Sequence, residues 1–334
     1  MDDRIAIIAL TTPLGLTPAE IDKIAPISIR TWSRLTTWFD RGAIGAASLY
    51  ERSTETEAVL TAIDPSLPLC VEQLLSRCER VERAVSELED RGIWIATIGE
   101  RGYPKRWTRT LGSTAPPLVY GDGVHDNVDR PAIGIVGSRD ISERLIGVAN
   151  DLGAKAVLGD FAVVSGGARG ADRIGMNGAL DVGGTVIGIL PDHLQRERLR
   201  RQNRDDIDVG NLTMISVVHP DTPFIVGNAM YRNRLIYALS ELTIVVSASD
   251  GTGGTWAGAI ENLKHRWAPL AVWTGSFAPK ASHRLVDHGA IALNEIPASS
   301  NDVRALLHDV TNAFDAKGRQ SSKANTLQLG LFES

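Results

Sequence analysis

Residues 161–180, FAVVSGGARGADRIGMNGAL, decide how this chain is read. Four apolar residues, Phe161–Val164, run into Ser165-Gly166-Gly167, and a glycine-punctuated helix follows with Arg169 and Asp172 at its mouth. A short apolar run reads as a buried parallel strand, and the Gly pair as a turn where backbone can approach a ligand closely. The free N–H groups and positive dipole end of the following helix suit an anion. The Arg169 guanidinium adds a planar fork that matches phosphate. The same turn also serves as an ordinary strand–helix connection in α/β proteins. Its neighbours must decide.

From Ala132 onward, strand, Gly turn and helix recur. Candidate strands are Ala132–Val136, Phe161–Val164, Thr185–Leu190, Thr213–Val218, Leu242–Val246 and Leu270–Trp273, most of them separated by ten or more helical residues. This alternation implies a doubly wound, mostly parallel α/β sheet covered on both faces. Ligands of such sheets gather beyond the carboxyl ends of the strands. Gly137-Ser138-Arg139, Ser165-Gly166-Gly167 and Asp250–Thr255 all belong there, and three polar, Gly-rich strand ends on one rim favour an anion pocket. The first strand is not followed by GxGxxG, and no acidic residue closes the second. A nicotinamide or flavin site is therefore not expected. GxxxxGK[ST], HExxH and GxSxG are absent too, so we assign no cofactor, no metal and no catalytic residue.

Residues 1–92 read as a small helical module preceding the sheet. Thr17-Pro18-Ala19-Glu20 is a capped helix start, a second helix runs from Ser28 to Gly42, and Val71–Asp90 is the clearest amphipathic helix. Such a module suits nucleic-acid or protein binding, or plain packing. Ile93–Thr97 is a candidate strand, and Pro116-Pro117 with Gly121-Asp122-Gly123 reads as an extended connector and turn. The sheet domain spans 93–298. Residues 299–334 supply one more helix, a polar stretch over Ala316–Asn325 expected to be disordered, and an apolar tip.

The 334 residues are 43% hydrophobic and 22% charged, ordinary values for a globular chain with a sizeable core. Acids precede the short apolar run of MDDRIAIIAL, the wrong charge for a secretion signal, and no stretch is long enough for a membrane span. Cys70 and Cys78 read as reduced thiols. The expected location is the cytoplasm. A net charge of −5 means that any nucleic-acid binding uses a local basic patch.

Over roughly residues 93–265 the chain resembles the bacterial DNA-processing protein A family, also called Smf. The resemblance is carried by Tyr103-Pro104, Pro116–Gly121, Ile135–Arg139, Val164–Asp172, Arg232-Asn233-Arg234-Leu235-Ile236 with Leu239-Ser240, and Gly251, Thr252, Thr255 and Glu261. It implies an extended Rossmann-like fold that binds single-stranded DNA, works as a homodimer and loads the recombinase RecA, protecting incoming DNA during natural transformation. The chain departs from the family pattern with Ala229-Met230 before Arg-Asn-Arg, Met176 in place of a His, Ser247 in place of a Glu, and the arginine-rich Gln195–Asp206 after the third strand. The 37 residues after Pro297 are too few for a winged helix.

Single-stranded DNA asks for spaced cations and a few stacking surfaces. The candidate phosphate contacts are Arg139, Arg169, Arg232 and Arg234, with Gly137, Ser138, Ser165, Gly166, Gly167, Asn233, Thr252 and Thr255 beside them. Either Arg232 or Arg234 can instead pair with Asp172 or Glu261. The run Arg196–Arg204 is diluted by acids and reads as a solvated helix. Trp256 and Tyr231 are the candidates for base stacking. In the tail, Gln328-Leu329-Gly330-Leu331-Phe332 resembles the peptide by which replication and repair proteins dock on the sliding clamp: Leu329, Leu331 and Phe332 fill a pocket and Gln328 fixes register. Two rivals stand beside the DNA reading. Asp250–Thr255 looks like the phosphate loop of nucleoside-monophosphate phosphoribohydrolases (LOG proteins), although Gly258 occupies the position of their catalytic Glu and Glu261 follows only later. A scaffold without DNA affinity is the other.

Overall fold

The computed structural model describes residues 2–330, with side chains for residues 2–317. Helices fill residues 3–90 and pack on a nine-stranded sheet. In chain order the strands are β1 (Trp94–Thr97), β2 (Leu118–Asp122), β3 (Ala132–Gly137), β4 (Ala162–Ser165), β5 (Val186–Leu190), β6 (Leu212–Ser216), β7 (Leu242–Ser247), β8 (Leu270–Trp273) and β9 (Ile291–Leu293). Across the sheet they lie in the order β1-β2-β6-β5-β4-β3-β7-β8-β9. β6 through β9 are parallel neighbours, whereas β1–β2 and β2–β6 are antiparallel. The fold is α/β and Rossmann-like, as the strand–turn–helix alternation implies.

The chain winds outward from β3 to β6, then returns to place β7 against the other side of β3. A doubly wound sheet opens a crevice where its winding reverses. Here that crevice lies over the ends of β3 and β7, between Gly137 and Ser247, where the register shifts by one residue.

Two strands differ from the sequence reading. β2 was expected to be connector, yet all five of its residues are buried and Ile95 pairs with Tyr120. The flanking Pro pair and Gly123 bound the strand rather than replace it. β9 has only three residues, too few to show a period.

The expected helix Val71–Asp90 is two helices, Leu67–Leu75 and Cys78–Asp90. The break lets Arg77 turn inward, fully buried, to donate to the carbonyls of Ala9, Thr12 and Leu14 at the end of the helix Asp3–Thr11. Ala9 O belongs to the last turn, where no helical partner follows, Thr12 O and Leu14 O lie at and beyond the cap, and the guanidinium answers both their hydrogen bonding and the negative end of the dipole. Burial lowers the Arg77 pKa to about 10, so it stays charged. Tyr50 closes the preceding helix by donating to Leu75 O at 2.6 Å.

The C-terminal helix runs Ser300–Gly330 and therefore includes Ala316–Asn325, expected to be disordered. Ala, Lys, Gln and Arg are strong helix formers, and the polar run continues a helix already anchored by buried Val303, Val310 and Phe314. Of the expected clamp peptide, Leu331 and Phe332 lie outside the described residues, as do the side chains of Gln328 and Leu329. Among the described residues no single helix is long and apolar enough to cross a membrane, and Cys70 and Cys78 are free.

Arg77→Met keeps the side-chain volume but leaves three carbonyls without a donor. It is expected to cost about 3 kcal/mol of stability, read as a lower urea midpoint at unchanged slope in circular dichroism.

Candidate nucleic-acid interface

The strand ends build a cleft in two compartments. The first, a cavity of about 440 Å³ over β3 and β7, is lined by Ser138, Arg139, Asn233, Thr252, Gly254 and Thr255 among others. The Gly-rich loop is tied to the sheet, since Thr255 Oγ1 donates to Gly137 O at 2.9 Å and Asn233 Nδ2 to Gly254 O at 3.2 Å. The helix Gly253–His265 begins at this cavity, and its cap residue Thr252 makes no side-chain hydrogen bond. Its first N–H groups and its dipole favour an anion. The second compartment, about 360 Å³, lies over β4 and β5 and is bordered by Gly166, Gly167, Arg169 and Asp192. Arg139, Phe224 and Arg232 line both.

Beneath the cleft lies a buried ion pair. Arg232 Nη1 stands 3.6 Å from Asp172 Oδ2, with both side chains less than a tenth exposed. Asp172 also accepts from the N–H of Gly137 at 3.2 Å, and Arg232 donates to Ile189 O at 3.4 Å. Burial pushes the Asp172 carboxyl up, opposed by Arg232 and by the N–H groups of Gly137, Gly166 and Ala168. Burial pushes the Arg232 guanidinium down, opposed by Asp172. Because a guanidinium does not give up its proton near neutral pH, the carboxylate remains its counter-charge.

Glycine at 166 follows from this pair, because a Cβ there would overlap the Arg232 guanidinium. Glycine at 170, at φ +90°, is required by its approach to the carbonyls of Ser138 and Arg139.

The structure divides the expected contacts. Gly137, Ser138, Arg139, Asn233, Thr252 and Thr255 border the first compartment, and Gly166, Gly167 and Arg169 the second. Arg139 is exposed, has no carboxylate partner among the described residues, and lies with its guanidinium 5.8 Å from the Phe224 ring centre. Arg169 pairs with Asp140 at 2.7 Å, but both side chains are more than three-quarters exposed, so the pair is weak and a phosphate can replace it.

Three expectations need correction. Ser165 is fully buried and its hydroxyl donates to Ile135 O at 2.5 Å, so it faces the sheet and not the cleft. Arg232 is answered by Asp172 through Nη1, and its buried Nε lacks a partner among the described residues. Arg234 lines neither compartment. Two residues on from Arg232 it points about 200° away around the helix, donating to Thr114 Oγ1 and lying over Trp267 at 5.2 Å.

The stacking candidates also miss the cleft. Trp256 is buried beneath Arg284 at 5.3 Å, and Tyr231 lies against Arg234 at 5.9 Å. The aromatic that does border both compartments is Phe224, about half exposed. Its signal was the apolar run Phe224-Ile225-Val226, which belongs to no strand and stays exposed. The arginine-rich segment forms two short helices, in which Arg200 pairs with Glu197 at 3.0 Å and Arg201 with Asp205 at 3.9 Å, while Arg198 reaches out to Asp122 at the end of β2. Glu261 lines neither compartment, and the described residues hold no cluster of His, Cys, Asp or Glu fit for a metal.

A family model described as DNA recombination-mediator protein A matches residues 94–304. The chain belongs to that family. Among its relatives, the DNA processing protein DprA of Bacillus subtilis is 27% identical over 221 residues, covering 64% of this chain and 72% of its own. The structure of DprA from Streptococcus pneumoniae superposes with a TM-score of 0.63 at 18% identity, over 83% of this chain and 93% of that one, and so shares the fold. A Helicobacter pylori DprA structure, described for its single-stranded DNA binding mode, is 25% identical with a TM-score of 0.53, over 64% of this chain and 96% of that one.

Asp172→Asn removes one charge without changing shape and leaves Arg232 buried and unanswered. The expected loss is about 3–5 kcal/mol, measured by denaturant titration of the purified variant.

Proposed function

We propose that this member of the family binds single-stranded DNA along the two-compartment cleft. The observation that carries the proposal is the exposed Arg139 guanidinium at the junction of both compartments, beside a helix N-terminus and a stacking ring. Arg139 and Arg169 take phosphates as charge-assisted forks. Ser138, Thr252 and the N–H groups of the first turn of the Gly253–His265 helix, that of Thr255 included, supply further donors, and Phe224 gives a base its face. The binding mode named for the Helicobacter pylori relative supports the reading. The protein acts as a binding protein rather than an enzyme. The phosphoribohydrolase alternative is not favoured, because the residue three after Thr255 is the buried Gly258 and Glu261 stands outside the cleft.

We further assign the chain, from its family resemblance, to a cytoplasmic homodimer that protects strands and loads RecA in DNA recombination or natural transformation. Light scattering tests the dimer, and RecA filament assembly on coated strands tests the loading. The tail Gln328–Phe332 is assigned to the sliding clamp. Deleting the last eight residues is expected to abolish capture by immobilised clamp, and unchanged capture would remove the assignment.

Arg139→Ala is expected to weaken binding to oligo-dT several-fold and to reduce the slope of log K against log salt by about one. Fluorescence anisotropy over a salt series reads both. An unchanged slope would take Arg139 out of the interface.

A further inference from the structure

The compartment over β4 and β5 carries a feature that a phosphate track does not need. Asp192 borders it half-buried, with neither a hydrogen bond nor an ion pair among the described residues. Its neighbour Glu197 is already engaged by Arg200 at 3.0 Å and Arg173 at 3.5 Å. Burial raises the Asp192 pKa, as does Glu197, while His193, Arg232 and Arg139 act against them. The backbone fixes what faces this carboxylate. His193 N–H donates to Thr222 O at 2.9 Å and Gln195 N–H to Pro220 O at 3.2 Å, bracing the Asp192 loop against the segment that carries Phe224. One compartment thus has an acceptor-only edge at Asp192, an apolar wall at Leu190 and Pro191, an aromatic ring at Phe224, and cationic forks at Arg139 and Arg169.

We propose that this compartment selects a guanine base of the bound strand. The inference rests on the DNA reading above. A carboxylate repels a phosphate, so the backbone passes on the Arg139 side and a base turns inward. Two carboxylate oxygens accept best from two adjacent donors. Guanine offers them as N1–H and the 2-amino group on its Watson–Crick edge. Adenine and cytosine each set a single amino group beside a ring nitrogen that also accepts. Thymine has one N–H between two carbonyls. Phe224 supplies the stacking face. The volume, about 360 Å³, is within the range of ligand pockets.

The test is an anisotropy titration of one short oligo-dT whose central base is replaced in turn by guanine, adenine, cytosine or hypoxanthine. A single replacement keeps the strand from folding on itself. The guanine strand is expected to bind about tenfold tighter than the all-thymine strand. Hypoxanthine, which lacks the 2-amino group, is expected to lose most of that gain. In Asp192→Asn the guanine-to-thymine ratio is expected to fall towards one. Equal affinity for all central bases would overturn the selectivity while leaving the DNA reading intact. A ratio that survives Asp192→Asn would overturn the role of Asp192. Failure to bind any of the strands would instead remove the DNA reading on which the inference stands.

Discussion

Asp172 and Arg232 meet beneath the cleft and hold its parts in place. Asp172 opens the helix after β4 and takes the N–H of Gly137 at the end of β3, while Arg232 reaches from the helix before β7 to the carbonyl of Ile189 in β5. One ion pair therefore joins four parts of the winding: the end of β3, the helix after β4, β5 and the helix before β7. Two charges stripped of water are costly, and they persist only where hydrogen bonds answer the remaining lone pairs and protons. The N–H groups of Gly137, Gly166 and Ala168 provide that answer on the Asp172 side. Gly166 is bare because the guanidinium lies against it. The glycine signature thus serves the internal pair at one position and the close approach of two turns at another.

With Arg232 neutralised inside, the charge available to a ligand is set at the rim. Among the described residues Arg139 has no carboxylate partner and Arg169 is held by the exposed Asp140 alone. A chain of net charge −5 can attract a polyanion through such a site because the field near a cleft is set by the charges lining it. The acids at the rim then act as sorting elements. In the proposed complex Asp140 occupies Arg169 until a phosphate competes, and Asp192 repels phosphate from its own edge of the compartment. The proposed complex uses these cations and acids to distinguish the backbone of a strand from its bases.

Much of this was legible in the sequence. The six apolar runs from Ala132 to Trp273 each became a parallel strand within a residue or two at most ends, because a strand buried on both faces must be continuously apolar. The same alternation places Gly137, Thr252 and Thr255 at strand ends, and they border the cavity over β3 and β7. What the sequence withheld is three-dimensional. Arg232 and Arg234 look equivalent in Arg-Asn-Arg, yet one points into the sheet end and the other to Thr114, a split fixed by helical phase relative to neighbours not yet placed. Ser165 reads as a donor because its motif is polar, but it is the last residue of a buried strand. Arg77 lies within an apolar periodicity that predicts one unbroken helix, and only the unpaired carbonyls of a distant helix explain the break. Phe224 went unassigned because an apolar residue in a loop signals nothing until the cavity beside it is seen.

The most direct test of the central claim is amide hydrogen exchange of the whole protein with and without oligo-dT. A cleft organised over the Asp172–Arg232 pair predicts slowed exchange at residues 137–140, 166–169 and 249–255, with the helices of residues 3–90 unchanged. Protection confined to those N-terminal helices, with the strand ends exchanging as in the free protein, would contradict it.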